Sequence, residues 1–133
     1  MSFLLDTNIC SAHLRRPAGL SHRFNQHSGR LFVSSIVVAE LYTWAYIQED
    51  PTKILSAIET LLEYDVQVLQ YDENCAHTFG KLSGQLRRQG ITVSPVDLLI
   101  GSVACAHDLT LVTHNVSDFE AIPDLRVVDW LTA

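Results

Sequence analysis

The alternation of short apolar segments with helical stretches constrains the fold of this chain more than any other feature. The apolar segments are two to four residues long, and the stretches between them carry apolar residues every three to four positions. The predicted strands lie at 3–5, 31–33, 66–69 and 110–113, with 127–128 as a candidate fifth. Strands that alternate with helices predict a mainly parallel sheet of four to five strands between helical layers, a three-layer α/β/α sandwich.

Capping residues and prolines delimit the helices between these strands. Asn8 or Thr7 is expected to cap a helix over 9–15, and a second short helix is predicted over 19–27. The remaining predicted helices run from Ser34 or Ser35 to about Ile47, from Pro51 (capped by Asp50) to Leu62, from Asp72 to Gly90, from Ser94 to about His107, and as a turn over 117–121. Because no linker or repeat interrupts its 133 residues, we expect one domain over 1–133.

The composition is that of a protein with a well-formed core, at 47% apolar and 18% charged residues. No apolar run approaches the ~18 residues that cross a bilayer, and no signal-peptide pattern precedes the first strand, so we expect a cytoplasmic protein without membrane contact. The net charge of −6 argues against coating nucleic acid by bulk electrostatics. Arg15-Arg16 and Arg87-Arg88 still allow a local positive rim.

The three cysteines, Cys10, Cys75 and Cys105, are expected to be reduced core residues, because an odd count among helix-like neighbours does not make a disulfide framework. Each is followed two or three residues later by a histidine. The chain has no CxxC pair, however, and these spacings match no recognised zinc motif. The sequence therefore predicts no structural zinc site.

Four acidic residues lie at the ends of predicted elements. They are Asp6 after strand 3–5, Glu40 in the helix after strand 31–33, Asp97 at the start of the helix before strand 110–113, and Asp118 after that strand. Because the carboxyl ends of parallel strands share one sheet edge, Asp6, Glu40 and Asp118 are expected to converge. Asp97 joins them only if its helix begins at the same edge, which the order of elements does not establish. Clustered carboxylates favour bound divalent cations such as Mg²⁺ or Mn²⁺.

Each acid also has a purely structural interpretation. Asp97, three residues after Ser94, fits a capping box at the start of its helix. Asp118 can cap or charge the short helix beside it, and Asp6 can form an Asx turn. Glu40 lies in a very apolar part of its helix and is expected to be a buried, partnered acid. The joint pattern of the four acids, rather than any one of them, indicates a functional site.

The segments that carry these acids match a known family. They are DTN at 6–8, SSIVVAEL at 34–41, SPVDLLIGSVA at 94–104 and LVTHNVSDF at 111–119. In this order, and spanning nearly the whole chain, they resemble the PIN-domain ribonucleases, in particular the VapC-like toxins of bacterial and archaeal toxin–antitoxin pairs. Four linked motifs are a specific signal, whereas DTN alone would be a weak one.

The resemblance implies a Mg²⁺- or Mn²⁺-dependent endoribonuclease, in which a metal-activated water cleaves RNA to leave a 5′-phosphate and a 3′-hydroxyl. The residues that correspond to the family's catalytic metal ligands are Asp6, Glu40, Asp97 and Asp118, and those that correspond to its supporting polar residues are Asn8, Thr113 and Asn115. Supporting residues of this kind orient carboxylates or water. The family also implies a homodimer and a cognate antitoxin whose tail occupies the active-site groove.

Two positions depart from the family pattern. Trp44 stands where many relatives carry glycine, and Gly101 where they carry alanine. With Tyr42 and Tyr46, Trp44 is expected in the core or at a dimer surface rather than as a platform for RNA bases.

An aspartyl-phosphate phosphatase would need a second aspartate where Asn8 stands. A catalytically silent PIN-fold module that binds RNA or protein is the remaining alternative, and its acids would be dispensable.

Overall fold

Five strands form one sheet in the computed structural model, which describes residues 1–131. The strands are β1 (Phe3–Leu5), β2 (Leu31–Ser34), β3 (Gln67–Leu69), β4 (Thr110–Val112) and β5 (Val127–Val128). Their order across the sheet is β3-β2-β1-β4-β5, and every neighbouring pair is parallel. The predicted three-layer α/β/α sandwich is confirmed, with the sheet at the upper limit of the predicted strand number.

Six α-helices are described around this sheet. They are α1 (Thr7–Arg15), α2 (Ser21–Gln26), α3 (Ser35–Tyr46), α4 (Thr52–Thr60), α5 (Glu73–Arg88) and α6 (Pro95–Ala106). Helices α1, α3 and α4 contact one another, α5 packs along α6, and α3 also contacts α6. Because α1 begins two residues after β1 ends and α3 begins directly after β2, the first turns of both helices lie at the carboxyl edge of the sheet.

The first two helices differ from their predicted limits. Helix α1 begins at Thr7 because Asp6, and not Thr7 or Asn8, is its N-cap: the carboxylate Oδ1 of Asp6 accepts a hydrogen bond from the Thr7 N–H at 2.8 Å. The helix predicted over 19–27 is divided. A separate 3₁₀ turn at Pro17–Gly19 precedes α2, and its first residue is the proline that cannot continue α1.

The ends of α4 and the turn after β4 also differ from prediction. The last predicted residues of the α4 helix lie in a π-helical turn at Leu61–Asp65, which a 3.6-residue apolar pattern does not distinguish from α-helix. Pro51 is the N-cap rather than the first helical residue, and Asp50 Oδ1 accepts a hydrogen bond from the N–H of Thr52 at 3.1 Å. The helical turn predicted over 117–121 is a 3₁₀ turn at Val116–Asp118.

The core is centred on β1 and β4, in which Leu4, Leu5 and Leu111 are fully buried. The three cysteines are free thiols and are buried or half-buried, in agreement with the prediction. Within residues 1–131, no helix combines the length and the apolar character that a membrane span requires. Two apolar strands at the centre of the sheet thus fix the position of the polar residues that follow them.

Candidate active site

Three of the four acidic residues line one pocket at the carboxyl edge of the sheet. Asp6 directly follows β1, Glu40 lies in the second turn of α3, and Asp97 lies in the first turn of α6. Other residues that line this pocket are Thr7, Asn8, Ser11, Arg15, Trp44 and Asn115. Helix α6 therefore begins at the edge where the strands end, which is the condition that the sequence left open for Asp97.

Asp6 is buried, with 6% of its surface exposed. Its Oδ2 accepts a hydrogen bond from Thr113 Oγ1 at 2.7 Å, and its Oδ1 accepts one from the adjacent N–H of Thr7 at 2.8 Å. The second contact is a helix N-cap and not the Asx turn that the sequence also allowed. Burial raises the pKa of Asp6, and the charges of Glu40 and Asp118 act in the same direction, whereas the two hydrogen bonds oppose the rise.

Glu40 is half-buried, and its carboxylate accepts a hydrogen bond from the hydroxyl of Thr7. The expected partner is present, although the burial is less complete than predicted. Thr7 thus contacts two acids, donating its backbone N–H to Asp6 and its hydroxyl to Glu40, and it joins α1 to α3 across the pocket. Thr7 was not among the predicted site residues. Its place between Asp6 and Asn8 in the DTN segment was the available signal.

Asp97 does not take part in a capping box. Ser94 is the N-cap of α6, but its side chain makes no capping hydrogen bond, so that interpretation is wrong. Asp97 is half-buried in the pocket, and its pKa is raised first by burial and then by the charges of Asp118, Asp6 and Glu40. Each of the other three acids acts on Asp97, which places all four within one electrostatic site.

Asp118 lies at the margin of this site. It is exposed, belongs to the 3₁₀ turn at Val116–Asp118 and is not among the residues that line the pocket. The predicted helix-capping role is not observed, because Asn115 occupies the cap position of that turn and makes no side-chain capping bond. The charge of Asp118 nevertheless raises the pKa of Asp6 and Asp97, so it extends the negative field of the pocket toward solvent.

Three polar residues around Asp6 form a connected network. Asn8 Nδ2 lies 3.4 Å from Asp6 Oδ2 and 3.3 Å from Thr113 Oγ1, and Asn8 Oδ1 accepts a hydrogen bond from the N–H of His114 at 3.1 Å. Thr113 is fully buried. Asn115 donates its backbone N–H to Thr113 Oγ1 at 3.1 Å and also lines the pocket. Asn8 and Thr113 thus contact an acid through their side chains, whereas Asn115 joins the network through its main chain.

Replacing Thr113 with valine is expected to lower the free energy of unfolding by about 1–3 kcal/mol, because the buried Asp6 carboxylate loses a hydrogen-bond donor. The same bond lowers the pKa of Asp6, so its loss moves that pKa further upward. Chemical denaturation of the wild type, Thr113→Val and Thr113→Ser measures the effect, and serine is expected to stay within about 1 kcal/mol of wild type. Equal stability of the valine variant and the wild type would show that the hydroxyl does not support the carboxylate.

Trp44 and Arg15 line the pocket although neither was predicted as a site residue. Trp44 is half-buried and packs against the core, which agrees in part with its predicted place, but it also borders the acids. Both residues line an adjoining groove as well, together with Leu14, Gln48, Lys53, Ile54 and Ala57. Arg15 is exposed at the end of α1, and it places one positive charge beside the carboxylates.

The donor atoms that the acids offer are carboxylate oxygens, the ligands that hard divalent cations prefer. Burial, and then repulsion among these carboxylates, raises the pKa of Asp6 and Asp97, and a bound cation would relieve the repulsion. The residues present therefore fit Mg²⁺ or Mn²⁺. The carboxylates alone would repel a negatively charged phosphodiester. A cation held by them would offset this repulsion and could activate a water molecule for hydrolysis.

A parallel sheet whose carboxyl edge carries clustered acids is the arrangement of the PIN domain class, and the PIN domain family profile matches residues 3–125. The chain is 36% identical over 131 residues, 98% of each chain, to the tRNA(fMet)-specific endonuclease VapC of Shigella flexneri. It therefore belongs to the PIN-domain family and, within it, to the VapC ribonucleases.

Two further relatives agree with this assignment. Ribonuclease VapC2 of Haemophilus influenzae is 36% identical over 132 residues, which cover 98% of this chain and 99% of that protein. The solved structure of DNA-bound VapBC from Salmonella typhimurium is similar with a TM-score of 0.91 at 34% identity, over 98% of both chains. The family resemblance read from the four sequence motifs is thus confirmed over the length of the chain.

Proposed function

We propose that this chain is the endoribonuclease toxin of a toxin–antitoxin pair and that it hydrolyses RNA at the pocket formed by Asp6, Glu40 and Asp97. The observation that carries this function is the convergence of the three acids from separate elements on one pocket. The similarity to proteins described as VapC endonucleases and ribonucleases supports RNA as the substrate. The electrostatic effect of Asp118 on two of the acids supports its inclusion at the margin of the site.

Asp6, Glu40 and Asp97 would hold a Mg²⁺ or Mn²⁺ ion, and Asp118 would add charge from the exposed side. A bound cation of this kind would supply the activation of water and the stabilisation of negative charge on the leaving oxygen. The choice of cation and ligands rests on the oxygen donor set and on the upward direction of the pKa of Asp6 and Asp97. The 5′-phosphate and 3′-hydroxyl ends are those that the family resemblance implies.

The polar residues around the acids fix the geometry of the ligands before any cation binds. Thr113 and Asn8 both contact Oδ2 of Asp6, which restricts the rotation of that carboxylate. Thr7 restrains Glu40 in the same way. Because these contacts exist in the folded chain, little reorganisation is needed when the site is occupied. The side chain of Asn115 is our candidate for orienting a water molecule or a phosphate oxygen at the pocket rim.

The approach of RNA needs a positive counterpart to the overall charge of −6. Arg15 supplies one at the pocket itself, and Arg16 lies beside it at the end of α1. We therefore expect the phosphate backbone to approach over the end of α1, where an arginine side chain can contact a phosphate oxygen next to the carboxylates.

A cognate antitoxin is the expected protein partner, in line with the VapBC complex of the Salmonella relative. The groove that adjoins the carboxylate pocket shares Arg15 and Trp44 with it, so a peptide bound in the groove would lie beside the acids and obstruct RNA. A homodimer, a cytoplasmic location and a single PIN domain over 1–133 are further parts of this proposal.

The function is tested by incubating purified, antitoxin-free protein with labelled single-stranded RNA and with a tRNA pool in Mg²⁺, Mn²⁺ or EDTA. We expect cleavage with either cation, no cleavage in EDTA, and downstream products that a 5′-phosphate-dependent exonuclease degrades. Equal cleavage in EDTA, or 2′,3′-cyclic phosphate ends, would contradict the metal mechanism. Folded, metal-loaded protein that cuts neither substrate would favour the silent binding module.

A further inference from the structure

A second cluster of metal-ligating side chains lies outside the carboxylate pocket. Asp72, Cys75 and His107 each offer one ligand atom, and the three atoms lie within 4.8 Å of one another. None of the three residues lines the pocket that contains Asp97. Asp97 is in the first turn of α6 and His107 directly follows its last turn, so the rise of the helix over ten residue steps separates them by about 15 Å. The cluster is therefore distinct from the proposed nuclease site.

The beginning of α5 and the end of α6 bring the three groups together. Asp72 is the N-cap of α5, and its Oδ1 accepts a hydrogen bond from the N–H of Cys75 at 3.0 Å, which holds the carboxylate close to the thiol. The Sγ of Cys75 lies 4.0 Å from the Nε2 of His107, the C-cap residue of α6. The packing of α5 along α6 holds this arrangement, since the two residues are far apart in sequence.

The donor atoms indicate which cation this cluster would bind. A thiolate sulfur, an imidazole nitrogen and one carboxylate oxygen form a typical donor set for Zn²⁺, whereas Mg²⁺ and Mn²⁺ prefer oxygen alone. Tetrahedral zinc with ordinary bond lengths places sulfur and nitrogen about 3.6 Å apart, so the observed 4.0 Å needs to close by roughly 0.4 Å. Asp72 and His107 are exposed, and their side chains can adjust by that amount.

The protonation of the ligands is compatible with such a site. The hydrogen bond from the Cys75 N–H lowers the pKa of Asp72, so its carboxylate is ionised at neutral pH. Burial raises the pKa of the Cys75 thiol, so a zinc–sulfur bond forms as the sulfur–hydrogen bond breaks and the proton passes to solvent. The position of Cys75 in the first turn of α5 favours the resulting thiolate.

We propose that Asp72, Cys75 and His107 bind one Zn²⁺ ion, with water as the fourth ligand, and that the ion fastens the start of α5 to the end of α6. The spacing of cysteines and histidines in the sequence does not indicate this site, because the histidine nearest to Cys75 in sequence is not the one that lies next to it in the fold. The fold instead pairs Cys75 with a histidine from another helix. Since α6 carries Asp97 at its other end, the ion would restrain a helix that belongs to the carboxylate pocket.

Cobalt provides the test, because Co²⁺ bound to a thiolate absorbs strongly in the near ultraviolet and Co²⁺ bound to carboxylates does not. Titration of the reduced protein with Co²⁺ is expected to give this band at one equivalent, and added Zn²⁺ is expected to remove it. Cys75→Ser should abolish the band, and His107→Ala should weaken Co²⁺ affinity at least ~tenfold. His107 is exposed, so its substitution leaves the core packed even if the buried Cys75 variant unfolds.

The matched controls separate this site from other thiols, histidines and carboxylates. Cys105→Ser removes a half-buried thiol, His22→Ala removes an exposed histidine of α2, and Asp97→Asn alters the nuclease pocket. All three are expected to retain the band and the affinity. A folded, reduced wild type without the band would overturn the proposal, and so would unchanged Co²⁺ affinity in His107→Ala.

Discussion

Replacing Asp97 with asparagine is expected to reduce RNA cleavage by at least ~100-fold while the chain stays folded. Asp97 is half-buried in the pocket that it shares with Asp6, and the cap of its helix does not depend on it. The amide keeps the shape of the side chain but removes the charge that would bind a cation. Initial rates on one labelled RNA at saturating Mg²⁺ measure the loss, with far-ultraviolet circular dichroism as the test of folding.

Two further acid-to-amide variants test whether the loss of cleavage is specific to Asp97. Asp118→Asn is expected to reduce the rate less than Asp97→Asn, because Asp118 is exposed and lies outside the pocket lining. Glu120→Gln alters an exposed acid two residues further along and is expected to retain the wild-type rate. Wild-type cleavage by Asp97→Asn would remove Asp97 from the site. A larger loss in Asp118→Asn would move the centre of the site toward the turn at Val116–Asp118.

The sheet could be predicted because the strands are short, mostly apolar segments bounded by polar residues, and this signal is local. The start of α1 could not be placed correctly, because Asp6, Thr7 and Asn8 are all suitable N-cap residues. The choice depends on which side chain reaches the first free N–H. Asp6 makes this contact through Oδ1, while its Oδ2 accepts a hydrogen bond from Thr113, which lies 107 residues further along the chain.

The candidate site could be predicted only in part, because strand order places some of its acids and the packing of helices places the others. Strand order places Asp6 and Glu40 at one edge, because Asp6 directly follows β1 and Glu40 lies in the second turn of α3, the helix that directly follows β2. The place of Asp97 depends instead on how α6 packs against α5 and α3, which no local pattern records. Asp118 was expected among the converging acids, and it acts on them through its charge from outside the pocket lining. The roles assigned to these acids stay predictions until the variants are measured.

The spacing of cysteines and histidines in the sequence does not predict the cluster of Asp72, Cys75 and His107. Zinc motifs in sequence are recognised when the ligands lie on one short segment or hairpin. Here Cys75 and His107 belong to different helices, and their approach depends on the same α5–α6 packing that positions Asp97. Long-range packing of one helix pair thus determines both features that the sequence could not place.

The second large effect expected of Asp97→Asn is a more stable metal-free protein that Mg²⁺ no longer stabilises. Because burial and neighbouring charges raise the pKa of Asp97 above its ordinary 3.8, ionising this group destabilises the folded chain. The first turn of α6 favours a negative charge by about 0.3–1 kcal/mol, so it reduces by that amount the stability gained when the charge is removed. The metal-free variant is therefore expected to have a higher Tm than the metal-free wild type.

The pH dependence and the response to Mg²⁺ reveal whether Asp97→Asn is more or less stable than the wild type. Well below pH 3.8 the group is protonated in both the folded and the unfolded chain, so the variant and the wild type are expected to be equally stable. The advantage of the variant should grow as the pH rises toward the raised pKa and stay constant above it. Mg²⁺ at a hundred times its Kd would stabilise the wild type by about 2.7 kcal/mol and the variant much less, which reverses the order of the two Tm values. Thermal unfolding at several pH values, in EDTA and in Mg²⁺, measures both effects. If the variant were less stable than the wild type in EDTA at pH 7, the charge of Asp97 would stabilise the start of α6. The acids would then not form a repulsive metal site.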